Sequence, residues 1–149
     1  KAVIDAAGDW DETLSLNDDG EYFARVVLAS RGIVCATSPE VSTYYRTGLR
    51  NSLSRRRSPA AMKSLFHSAE LITAHVSKAG NIVGDQALAD YWLHVAYELY
   101  PDAPALSRAA EAQSRDWGGS TVPPPLGRRA QNLARLTGWR FARRLALRR

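Results

Sequence analysis

Asn17-Asp18-Asp19-Gly20-Glu21-Tyr22-Phe23-Ala24-Arg25 runs straight into an apolar stretch, Val26-Val27-Leu28-Ala29. Three carboxylates this close repel one another, so the cluster needs a cation, an arginine or solvent to offset it. A helix over residues 20–31 meets that need. Its positive end favours Asp18, Asp19 and Glu21 in or just before the first turn. Tyr22, Val26 and Ala29 then share a face, and Arg25 stands four residues beyond Glu21 at ion-pair spacing. Asn17 or Asp18 caps the start, and Gly32 after Arg31 offers a left-handed stop. Two readings stay open. The carboxylates serve the helix start alone, or one is catalytic while its neighbours hold a metal, a diphosphate or a sugar hydroxyl.

On the N-terminal side, Ala2-Val3-Ile4 is an apolar patch and Gly8 allows a turn before Asp9-Trp10-Asp11-Glu12. Trp10 either plugs the core beneath the acidic loop or lies against a sugar ring. On the C-terminal side, Ile33 to Ala36 reads as a short strand, Pro39 breaks it, and Val41 to Tyr45 reads as a second. Cys35, the sole cysteine, lies in the first of these runs and is expected to be a buried small hydrophobe. One cysteine excludes an intrachain disulfide and a multi-cysteine zinc site, and fits a reducing compartment. Arg46, Gly48, Arg50 and Asn51-Ser52-Leu53-Ser54 then make a loop ahead of Arg55-Arg56-Arg57. A helix followed by short strands predicts an α/β fold class, the closing piece of a sheet domain.

Four of these segments, in order, resemble the C-terminal part of family 2 glycosyltransferases with a GT-A fold. They are Gly8-Asp9-Trp10-Asp11-Glu12, Asp18 to Arg25, Tyr44-Tyr45-Arg46 and Asn51-Ser52-Leu53-Ser54. Asp9 departs from the first segment as an insertion, and Tyr22 replaces the usual Leu or Phe. Gly48 stands where many relatives carry a His close to the metal and diphosphate. The resemblance implies that residues 1–57 are the end of a GT-A-like sheet domain. It makes Asp19 the base that deprotonates an acceptor hydroxyl, with Trp10, Asp18, Glu21 and Arg25 shaping the acceptor site. Arg46 or Arg50 would face the diphosphate of a nucleotide-sugar donor. A divalent Mg²⁺ or Mn²⁺ would be held by residues not in this chain. The expectation is then the C-terminal portion of an inverting enzyme, inactive without its donor-binding half and cytoplasmic, at the inner face of the membrane.

From Ser58 the pattern changes to helices. Ser58-Pro59 is a strong helix start, and Met62, Leu65, Phe66, Ala69, Ile72 and Val76 form one stripe. Gly80-Asn81 ends it. A second helix runs from Asp85 to Tyr100 with Leu88, Tyr91, Trp92, Val95 and Leu99 on its apolar face. A third runs from Pro104 to Arg115. Residues 58–117 thus form a helical extension. His67, His75 and His94 would need to converge to bind a metal, a less common role than a surface or core histidine.

A Gly/Pro linker at 118–125 leads to a basic helix over 126–149, interrupted at Gly138. From Leu126 onward the chain carries Arg128, Arg129, Arg135, Arg140, Arg143, Arg144, Arg148 and Arg149 and no acid. The overall charge is +5, from 20 basic and 15 acidic residues, with the acids concentrated before residue 22. The arginine helix reads either as a solvated tail docked by a few apolar contacts or as a helix on an anionic membrane with Trp139 and Phe141 inserted. A basic module binding nucleic acid is the alternative to the enzyme, although no finger or RNP-like motif is present. No apolar run approaches the ~18 residues of a membrane span.

Overall fold

A computed structural model describes residues 1–36, 44, 57–80, 83–123 and 125–147. Among these residues the fold is all-helical: Ala2–Ala7 (α1), Asp18–Ala29 (α2), Pro59–Lys78 (α3), Asp85–Leu99 (α4), Pro104–Asp116 (α5), Arg128–Thr137 (α6) and Trp139–Leu147 (α7). The expected α/β sheet piece is therefore wrong for the described residues. Ile33 to Ala36 forms no strand, and Val34 is 94% exposed. A β-branched run becomes a strand only when a neighbour supplies the ladder and the packing, so propensity alone does not make one. Cys35 is exposed for the same reason, not buried. The second expected strand, Val41 to Tyr45, lies outside the described residues except for Tyr44.

α2 starts two residues earlier and stops two residues sooner than its sequence pattern suggests. Asn17 is the N-cap, in the left-handed region at φ 61°. At the other end Ser30 turns extended and its hydroxyl donates to the Val27 carbonyl at 2.7 Å. That bond satisfies a terminal carbonyl, so Gly32 is not the left-handed cap.

The core is built from α3, α4 and α5, as the apolar stripes predict. Ser58 caps α3 by accepting from the Ala61 N–H, with Pro59 in the first turn. Met62 and Ala69 face Trp92, Val95 and Leu99 of α4, all fully buried. The Trp92 indole N–H donates to Thr73 Oγ1 at 3.0 Å, which makes so large a buried ring affordable. α4 and α5 meet along small residues: Ala89 and Ala96 against Ser107, Ala110 and Ser114. The two serine hydroxyls donate across the seam, to Ala96 O at 2.8 Å and Ala89 O at 2.7 Å. Their side chains are too short to hold the helices apart.

α7 docks on this platform through polar and aromatic contacts. Trp139 donates its indole N–H to Glu111 Oε1 of α5 and packs on the core, so it faces inward and is not the membrane-inserted ring expected from sequence. Arg140 pairs with Glu111 Oε2 at 2.7 Å. Arg143 is buried with its guanidinium 3.6 Å from the Tyr97 ring centroid. Gly138, at φ 81°, makes the corner between α6 and α7 that a residue with a side chain enters only under strain. No described helix is long and apolar enough to cross a membrane.

Ala110 is fully buried in the α4–α5 seam. Ala110→Leu forces the helices apart and lowers stability by about 1–3 kcal/mol, read by urea unfolding. An unchanged midpoint would mean the seam has slack that the structure does not suggest.

Candidate functional site

Glu21 is 2% exposed, and a buried carboxylate must be compensated. Arg25 does this from one turn on. Its Nε donates to Oε1 at 2.8 Å and its Nη2 to Oε2 at 2.9 Å, a bidentate pair. The remaining donors of the guanidinium reach the end of α1 and the loop after it, Nη1 to Ala7 O and Nη2 to Asp9 O. His75 of α3 adds a third element. Its Nε2 lies 2.9 Å from Glu21 Oε1, and since a carboxylate only accepts, Nε2 carries the hydrogen. Burial pushes the Glu21 pKa up, but the bonds from Arg25 and His75 outweigh it and hold it below the ordinary glutamate value.

Asn17 fixes the start of α2 against α3. Its Nδ2 donates to Ser68 Oγ at 2.9 Å. Nearby on α4, burial pushes the Tyr91 phenol pKa up to about 12. Gly20 is required beside Asn17, because a Cβ there would come within 2.8 Å of the Asn17 Cγ. The loop before the cap is sewn to α3 by Ser64, whose hydroxyl accepts from the Ser15 and Leu16 N–H groups.

On this scaffold sits an open cleft of about 220 Å³, lined by Ile4, Asp5, Gly8, Asp9, Trp10 and Tyr22. Trp10 is 41% exposed and stacks on Tyr22 with ring centroids 4.7 Å apart. Its indole N–H donates to Asp18 Oδ2 at 3.3 Å. Trp10 is thus a surface shelf and not a core plug. Asp19, next along α2, is exposed and accepts from the Gly20 N–H at 2.8 Å. Asp11 is occupied by a turn: Thr13 donates both its hydroxyl and its N–H, which lowers the Asp11 pKa.

No family model, curated protein or solved structure matches the chain.

Of the residues singled out from sequence, Asp18 and Asp19 open α2 beside the cleft, and Trp10, in the loop before α2, lines the cleft and bonds to Asp18. Glu21 and Arg25 do not face the cleft as a recognition pair; they are the buried brace beneath it. Arg46 and Arg50 lie outside the described residues. The described residues contain no group of three His, Cys, Asp or Glu placed to hold a metal ion. Two residues of the site escaped the sequence reading. Tyr22 reads from sequence as a helix-face residue and as the replacement for the usual Leu or Phe, not as a cleft wall, although an aromatic twelve positions after Trp10 is a visible signal. His75 left none, since its partner is 54 residues away.

Arg25→Met leaves the buried Glu21 carboxylate to His75 alone and costs about 3–5 kcal/mol at neutral pH. Because the folded pKa of Glu21 is depressed, its contribution is complete above the ordinary value of about 4.3 and is lost as pH falls through the folded value. The difference between wild type and variant therefore shrinks on acidification. Urea unfolding across acidic pH tests this, and a pH-independent difference would contradict it.

Proposed function

We propose that the cleft is the acceptor side of an inverting glycosyl transfer site in a nucleotide-sugar-dependent enzyme. The observation that carries this reading is the Trp10–Tyr22 shelf hydrogen-bonded to Asp18, with the exposed carboxylate of Asp19 one residue on. A sugar offers apolar C–H faces to an aromatic ring and hydroxyls to carboxylates, and this surface presents both. The reading rests on the helical Asp18–Arg25 segment, as in the glycosyltransferases that the sequence resembles, and not on a sheet.

In this mechanism Asp19 takes the proton of the acceptor hydroxyl as its oxygen attacks the anomeric carbon. The bond to the nucleoside diphosphate breaks on the opposite face, and the anomeric configuration inverts. Asp18 orients Trp10, and the Glu21–Arg25–His75 brace fixes the helix end that carries both aspartates. Arg46 or Arg50 would hold the donor diphosphate, and a divalent metal held by residues not in this chain would neutralise its charge. A nucleotide-sugar donor and the free Cys35 thiol fit a cytoplasmic setting.

The test is Asp19→Asn in the natural enzyme, assayed with a panel of nucleotide-sugars and Mg²⁺ or Mn²⁺. Turnover falls by about 10²–10⁴-fold while donor KM stays within about twofold. Trp10→Ala raises acceptor KM with a smaller effect on turnover. If neither substitution alters any sugar transfer, the carboxylates serve only the start of α2.

A further inference from the structure

α7 carries apolar side chains on its outer face as well as its inner one. Around the helix, Trp139, Ala142 and Arg143 point toward α4 and α5, with Arg140 at the margin on Glu111. The opposite face carries Phe141 and Leu145, one turn apart and 50% and 41% exposed, while the exposed Arg144 beside them holds its guanidinium 5.7 Å from the Tyr100 ring centroid. An ordinary surface helix keeps its outer face polar. The inward arrangement is costly as well: Arg143 Nε and Nη1 are buried without a hydrogen-bond partner among the described residues. The docked face keeps Trp139 and Ala142 on the core and the bonds to Glu111, so Phe141 and Leu145 are covered only if something else packs on the outer face.

The charge of the segment says what covers it. No acid occurs after Asp116, and eight arginines follow Leu126. Leu136 of α6 and Leu147 of α7 are exposed as well, at 88% and 59%. Large apolar side chains interspersed with arginines match the boundary between anionic headgroups and acyl chains, where rings and aliphatic chains enter and guanidinium groups stay among phosphates. A second copy of the chain would bring an equally basic surface against this one and is disfavoured by repulsion.

We infer that the outer face of α7, with Phe141 and Leu145 inserted and the exposed arginines of the segment at headgroup level, docks this protein on an anionic lipid surface. The inference is independent of the sugar-transfer reading, since it uses none of the residues of the cleft.

Sedimentation with lipid vesicles tests it on the chain itself. Binding to vesicles with about 30 mol % phosphatidylserine exceeds binding to pure phosphatidylcholine by tenfold or more, and about 0.5 M salt weakens it strongly. F141S/L145S, which leaves the docked face of α7 intact, weakens binding to the anionic vesicles by about tenfold or more. Equal binding by wild type and variant would leave a basic tail with no inserted face and overturn the inference. So would failure of the wild type to bind anionic vesicles. So would a wild-type dimer that F141S/L145S converts to monomer, because the covering surface is then a second copy.

Discussion

Burying the Glu21 carboxylate is the constraint on which the N-terminal third of the described fold depends. A charge that deep is tolerated only if every oxygen is engaged, and Arg25 and His75 together do that. The arginine fork is large enough to hold both carboxylate oxygens and still reach two main-chain carbonyls. Lysine has one nitrogen on a flexible stem and no such geometry. The three side chains therefore join the loop after α1, the first turns of α2 and the last turns of α3. The exposed aspartates at the start of α2 owe their positions to this brace.

The α3–α5 platform carries both ends of the molecule. Its interior is unusual in relying on alanines and serines where α4 meets α5, with Trp92 and Met62 filling the wider space toward α3. Small side chains lose little rotamer freedom on burial, and the serine bonds across the seam add direction to a contact that dispersion alone would leave free to slide. α3 presents the residues that hold the cleft, while α5 presents Glu111 to α7.

Most of this platform was legible in the sequence. The Ser58-Pro59 start, the Met62-to-Val76 stripe and the Leu88-to-Leu99 face each state a helix and its buried side, because local periodicity and capping are enough to specify both. The Glu21–Arg25 pair was legible for the same reason, its spacing being one turn. What failed was everything that needed a partner distant in sequence. Ile33 to Ala36 has strand composition but gains no neighbour among the described residues. Cys35 follows it into solvent. His75 meets Glu21 only because α2 lies across α3. Arginines scattered around the last helix hid the fact that Arg143 points inward, since a cation over the Tyr97 ring is a tertiary event that no helical wheel contains.

Arg25 grips the chain ahead of α2 by main-chain carbonyls, that of Ala7 at the end of α1 and that of Asp9 in the loop. Every residue type has a carbonyl, so this anchorage does not depend on which side chains the loop displays. Asp9 and Trp10 can be exchanged through evolution while the backbone beneath them keeps its course. The rim of the cleft is thus uncoupled from its foundation. Selection can retune what the cleft recognises without first having to rebuild the support, much as an antibody loop diversifies on a constant frame.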